Sequence, residues 1–219
     1  MPHQLRKAFN QELDEIDAKV TQLFALVTEG LAAATDTFLA GDRVGAREVV
    51  GRDALIDSLY GDIEELVQRV LLLQSPVASD LRYLLSVLRI VPELERSGDL
   101  AEHIASRAAR GLGAQLTPTV RGMVEEMGNV GVTMWRAAAD AYADRDGEAA
   151  AHLDHLDDRL DTLHDELSAL LAGGALELPA AIEMALVARF YERLGDHALH
   201  ITERIRYLAL GTRSVRSDT

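Results

Sequence analysis

The segment Glu95-Arg96-Ser97-Gly98-Asp99-Leu100-Ala101-Glu102-His103-Ile104 returns 97 residues later as Glu192-Arg193-Leu194-Gly195-Asp196-His197-Ala198-Leu199-His200-Ile201. Seven of the ten positions match without a gap. A repeat of this length restricts the chain to two copies of one unit, since each copy carries the same local folding instructions. Residues four and eight apart on an α-helix share a face. Glu95, Asp99 and His103 therefore form a ladder of two carboxylates and an imidazole, and Glu192, Asp196 and His200 repeat it. Carboxylates one turn apart repel each other by roughly 0.2–0.5 kcal/mol. Keeping that cost in both copies points to a cation.

The apolar spacing says what the repeated unit is. From about Leu5 to Leu39 the apolar residues recur at intervals of three and four (Leu13, Ile16, Val20, Leu23, Phe24, Val27, Leu31, Ala34, Phe38), which predicts one long amphipathic helix. Gly41 reads as its C-terminal cap and Asp42 as the N-cap of a second helix. That second helix turns Val49, Ile56, Leu59, Ile63, Leu66, Val70 and Leu73 inward. Ser75-Pro76 predicts the start of a third, with serine as N-cap and proline at the first helical position. The third runs through the repeated segment to Gly111-Leu112-Gly113. Pro92 lies inside it and predicts a bend, because proline removes one helical hydrogen bond.

Thr117-Pro118 predicts a fourth helix from about Thr119 to Ala143, with Val124, Met127, Val130, Met134 and Ala138 inward. Asp146 predicts the start of a fifth, and Pro179 that of a sixth reaching Leu210. The offset between copies falls from 104 at Asp42/Asp146 to 97 at the repeated segment. A loss of seven residues is close to two helical turns and keeps each face in register. Gly211 to Thr219 reads as a polar, disordered tail. No alternation of apolar and polar residues predicts a strand. The expected fold is all-α: two tandem, pseudo-symmetric three-helix bundles, residues 1–114 and 115–219.

The second helix adds a further element. Asp53 and Asp57 stand one turn apart, and Asp157 and Asp161 repeat them at an offset of 104, with Leu160 matching Ile56. If the second and third helices of each half are antiparallel neighbours, Asp53/Asp57 face Glu95/Asp99 and Asp157/Asp161 face Glu192/Asp196. Four carboxylates on one surface with a histidine beside them suit Mg²⁺, Mn²⁺ or iron, and also admit Zn²⁺. A single acidic pair carries little weight, since several arise by chance among 36 acidic residues. The duplication carries the weight. Gly98 and Gly195 strengthen it: each costs about 1 kcal/mol in a helix interior, so each predicts close approach of another backbone or of ions. His103 and His200 read equally as ligands or as helix-face histidines bonded to a neighbour. Arg96 and Arg193, a quarter-turn away, read as structural partners of the acids. His152 and His155 beside Asp158 read as a solvated face, with a small site as the alternative, and Trp135 and the methionines as core.

Composition excludes several function classes. The formal net charge of −14 opposes binding to nucleic acid or anionic lipid. The absence of cysteine removes disulfides, thiolate metal sites and thiol chemistry. The N-terminal Met1-Pro2-His3-Gln4 leads into an amphipathic segment rather than a signal peptide, and no apolar run approaches 18 residues. The expectation is a soluble, cytoplasmic protein.

The motif Glu-Arg-x-Gly-Asp-x-Ala-x-x-Ile, occurring twice in this helical context, resembles the PhoU family of phosphate-transport accessory and regulatory proteins. The resemblance covers about residues 5 to 210 and includes Asp80-Leu81-Arg82 and Phe9. It implies divalent or trivalent metal ions (Fe, Mn, Mg or Zn), multinuclear in some members. Carried over by position, the ligands are Asp53, Asp57, Glu95, Asp99, Asp157, Asp161, Glu192 and Asp196. Where the family pattern usually has asparagine, this chain has His103 and His200, a departure that bears on the metal's identity. The resemblance further implies contact with the phosphate importer ATPase subunit and the phosphate-sensing histidine kinase, restraint of uptake and of the starvation response, a homodimer, and approach to the membrane only through partners. Two alternatives stand beside it. A metal-free helical scaffold leaves the carboxylates solvated. A di-iron carboxylate enzyme needs Glu-x-x-His on two helices, a spacing this chain lacks. Nor is there a nucleophile–base pair, glycine-rich phosphate loop or nucleotide fingerprint, so the expectation is not an enzyme.

Overall fold

A computed structural model describes residues 2–211 of the chain, with side chains from Arg6 onward. The polar tail predicted to be disordered lies, beyond Gly211, outside the described residues. Six helices follow one another: α1 (Pro2–Ala40), α2 (Arg43–Gln74), α3 (Ala78–Ala109), α4 (Pro118–Asp144), α5 (Ala149–Ala172) and α6 (Leu178–Leu210). A 3-10 turn, Leu112–Gln115, joins the halves and contains the predicted 114/115 division. Among the described residues there is no strand.

The helix ends follow local chemistry with two exceptions. Asp42 caps α2 by accepting from the backbone N–H groups of Val44 and Gly45. Thr117 caps α4 through Val120 N–H, with Pro118 in the first turn. Ser75, expected to open α3, instead closes α2 in a left-handed conformation (φ 46°), and the N-cap of α3 is Val77. Asp146, expected to open α5, accepts from Glu148 N–H, and that helix starts at Ala149 with Glu148 as its N-cap. Leu73, expected inside, is 71% exposed, because it lies where α2 projects past the core toward the hairpin tip. Pro92 is accommodated within a continuous α3.

Each half is a three-helix bundle: α1 with α2 and α3, and α4 with α5 and α6. The halves join side by side, α1 against α4 and α3 against α6, leaving α2 and α5 on the flanks. One continuous core results. Phe24 packs on Trp135 and Tyr142 from the opposite half, and Thr35 Oγ1 bonds Tyr191 OH at 2.8 Å. By length and mean hydropathy α1 could cross a membrane, yet Ile16, Val20, Leu23, Val27, Leu31, Ala34 and Phe38 are fully buried in this core. The shortening of the second half is taken from the hairpin tip, where α5 has 24 residues against 32 in α2. It falls beyond the acidic ladders and so leaves their pairing intact.

Candidate metal centre

The acidic ladders meet because two small-to-large contacts fix how α2 lies on α3 and α5 on α6. A Cβ on Gly98 would stand 2.7 Å from Ile56 Cδ1, and one on Gly195 would stand 2.7 Å from Leu160 Cδ1. The repeated glycines therefore admit a branched side chain, rather than the backbone or ions predicted from sequence. The neighbouring aspartates come in with it. Asp53 Oδ1 would lie 3.7 Å from the Gly98 Cβ, and Asp157 Oδ1 3.0 Å from the Gly195 Cβ.

In the first half, Asp53, Asp57 and Asp99 each present a carboxylate oxygen within 4.8 Å of the other two. Asp57 is exposed; Asp53 and Asp99 are half-buried. Burial, followed by the charges of Asp99, Asp57 and Glu102, raises the Asp53 pKa from 3.8 to about 6, and His103 opposes the rise. Asp53 Oδ1 is buried without a hydrogen-bond partner. Glu95 completes the ladder pair: burial and then Asp99 and Asp57 raise its pKa.

The second half repeats the electrostatics in a looser arrangement. Burial and then Asp196 raise Asp161, and the same two causes raise Glu192. One Glu192 oxygen accepts from Arg189, while Oε2 is buried and unpartnered. Among the described residues, only the first half brings three ligand atoms within 4.8 Å of one another.

His103 and His200 do not join these acid groups directly; both stand along the seam between the halves. The His103 ring stacks 5.4 Å from Phe190 of α6, with Nε2 3.8 Å from Glu102. His200 lines a cleft with Arg89, Glu93 and Arg96 of α3. Arg96 pairs with Glu93 at 3.2 Å, a structural role of the kind its quarter-turn position suggested.

Sequence reasoning missed three features. Glu102 and His164 lie within the electrostatic reach of the first and second ladders. Helical spacing could have found both, since each lies three residues from a ladder acid. The third is a buried polar contact in the seam: His197 Nδ1 lies 2.9 Å from Ser97 Oγ, and Nε2 faces Glu93 Oε2 at 3.7 Å. Ser97 gives its own proton to Glu93 O, so it accepts from His197.

The donor set fits a hard cation. Its atoms are oxygens, one of them is orphaned by burial, and the mutual repulsion is of the kind a positive ion relieves. Asp53, Asp57 and Asp99 would hold an ion in the first half with Glu95 beside them, and Asp157, Asp161, Glu192 and Asp196 are their counterparts in the second.

The PhoU domain profile matches residues 20–108 and 124–205. The chain is 33% identical over 210 residues to the phosphate-specific transport system accessory protein PhoU homolog 2 of Mycobacterium tuberculosis, covering 94% of this chain and 99% of that one. It is 32% identical over 211 residues to PhoU homolog 1 of Mycobacterium leprae, covering 95% of each. Among solved structures, PhoU from Pseudomonas aeruginosa superposes with a TM-score of 0.86 at 29% identity, covering 93% of this chain and all of that one. The profile, the near-complete relatives and the shared six-helix architecture agree: the chain belongs to the PhoU family.

Proposed function

We propose that the protein is a non-catalytic, metal-binding adaptor of phosphate transport. In this reading each half presents a metal-organised acidic face, and the remaining helix surfaces dock on the phosphate importer ATPase and on the phosphate-sensing histidine kinase. It thereby restrains uptake and the starvation response when phosphate is plentiful. The carrying observation is the group Asp53, Asp57 and Asp99, with oxygens within 4.8 Å of one another and Asp53 Oδ1 buried without a partner. The ion supplies charge neutralisation and cross-links α2 to α3. The relatives, accessory proteins of phosphate-specific transport by name, support the assignment to that process. The chain acts in the cytoplasm, as a homodimer, and reaches the membrane through its partners.

Two measurements test this reading. Elemental analysis of protein purified without chelator should return Fe, Mn, Mg or Zn in proportion to protein, and Asp53→Asn with Asp99→Asn should remove the first half's share. Affinity capture from cell extract should recover the importer ATPase and the kinase; recovery of neither contradicts the regulatory role.

A further inference from the structure

One imidazole distinguishes the second acidic ladder from the first. On α5, Asp157, Asp161 and His164 stand four and then three residues apart, which puts all three on one helix face. Arg159, on the opposite face, bonds Glu126 of α4 at 2.8 Å, so the face carrying Asp157 and His164 is the one turned to α6. The contact of Leu160 and Asp157 with Gly195 fixes the register. From that point the two helices run in opposite directions, and a rise of about 1.5 Å per residue brings Asp161 and then His164 alongside Glu192. Burial and Asp196 raise the pKa values of Asp161 and Glu192, and His164 opposes both rises.

Two hydrogen-bonding details prepare this histidine for a metal. Asp165 Oδ1 lies 3.4 Å from His164 Nδ1. The Asp165 carboxylate is exposed and accepts, so Nδ1 carries the proton and the lone pair is left on Nε2. A ring held by a carboxylate in this way is the common form of a histidine that ligates a metal. Across from it, one Glu192 oxygen is taken by Arg189, while Oε2 is buried without a partner in a side chain only 13% exposed. The first half offers no equivalent nitrogen. The residue at the matching position, 104 earlier, is Tyr60, whose hydroxyl donates to Glu64 at 2.8 Å. His103 reaches that ladder only electrostatically, its ring stacked on Phe190 with Nε2 facing Glu102.

From this we infer that His164 ligates the second half's metal through Nε2, and that the two halves therefore select different metals. The inference rests on the metal-binding reading proposed above. The all-oxygen set of the first half suits Mg²⁺ or Mn²⁺. Glu192, Asp161, Asp196 and His164 together suit Zn²⁺ or Fe²⁺, which take imidazole nitrogen readily. The spacing agrees with this division. The first half gathers three carboxylate oxygens within 4.8 Å of one another, whereas the second, among the described residues, holds its acids further apart and leaves room for the longer imidazole.

The test is isothermal titration of the full chain, stripped of metal and carrying Asp53→Asn/Asp99→Asn so that the second half's site stands alone, with Zn²⁺ and Mg²⁺ as separate probes. Adding His164→Gln should weaken Zn²⁺ binding by about tenfold or more and leave Mg²⁺ binding unchanged. Pulsed electron paramagnetic resonance of the same proteins loaded with Mn²⁺ should show nitrogen coupling that His164→Gln abolishes, a signature that a merely structural histidine does not give. His164→Tyr, which installs the first half's residue, should behave as His164→Gln does, and an unchanged Tm in chelator verifies that both variants fold. Equal Zn²⁺ affinity with and without His164, a Mg²⁺ loss as large as the Zn²⁺ loss, or nitrogen coupling that survives the substitution overturns the inference while leaving metal binding in place. Loss of all binding in the Asp53→Asn/Asp99→Asn background confines the metal to the first half and overturns it too. A wild type that binds none of the three cations overturns the metal reading itself, and this inference with it.

Discussion

Ile56 lies directly over Gly98: a methyl group placed on the glycine would stand 2.7 Å from Ile56 Cδ1 and 3.1 Å from its Cγ2. Leu160 takes the same position over Gly195. This contact, made once in each half, sets the distance between the helices that carry the acids.

Gly98→Ala is therefore predicted to destabilise the protein despite the better helix propensity of alanine. Overpacking costs about 1–3 kcal/mol, against a gain of about 1 kcal/mol from propensity. The net loss should shrink when Ile56→Val removes the colliding Cδ1. A double-mutant cycle by denaturant unfolding checks this, and strictly additive losses would refute the contact.

Replacing Asp53 by asparagine should have opposite effects with and without metal. In chelator, Asp53→Asn removes a half-buried charge, with Oδ1 unpartnered, from among like charges, and should raise Tm by about 2–4 °C, the shift of roughly 1 kcal/mol in a chain of this size. With metal present the same variant should fail to gain the stabilisation that wild type gains. Differential scanning calorimetry in both buffers reads the two effects. A plain structural role predicts loss in both.

The same residue sets a pH dependence. A pKa raised from 3.8 to about 6 means that folded Asp53 holds its proton more tightly than the unfolded chain does. The stability it contributes is present in full below pH 3.8 and is lost as the pH rises through about 6. Glu95, Asp161 and Glu192, also raised, act in the same direction. The difference in Tm between wild type and Asp53→Asn, measured in chelator from pH 4 to 7, isolates the Asp53 contribution. The wild type should fall behind the variant as the pH rises. Metal affinity should run the other way and weaken on acidification through this range, since the cation competes with the proton.

The seam yields another prediction. Ser97→Ala removes the acceptor for His197 Nδ1, a side chain only 7% exposed. Leaving that donor unpaired should cost about 1–3 kcal/mol. Urea unfolding with an unchanged m-value checks it. No loss of stability would mean that water reaches the histidine.

What the sequence made legible was local. Apolar spacing gave the helices, and Asp42 and Thr117 gave true caps because each bond spans two or three residues. Internal repetition exposed the acid ladders and the glycines between them. Ser75 deceived because serine before proline suits an N-cap, whereas the chain needed a left-handed residue to close α2. Leu73 deceived because a helix can keep its apolar period one turn past the end of the core it packs on. Ser97 and His197 were invisible, since their contact joins residues 100 positions apart and neither helix advertises it. The glycines were legible as close approaches but not as to what approaches, because Ile56 and Leu160 look like ordinary core positions. His103 and His200 fell on the ladder in projection, but the packing of α3 on α6 gave both a second neighbour in the seam.

The most direct test of the account is a titration of chelator-stripped protein with Mn²⁺ or Fe²⁺, followed by calorimetry and repeated on Asp53→Asn/Asp99→Asn. The account predicts saturable binding and a rise in wild-type Tm with metal concentration, with the first half's share of the bound metal missing in the double variant. An unfolding curve that no added cation moves, with wild type and variant binding equally little, would contradict it.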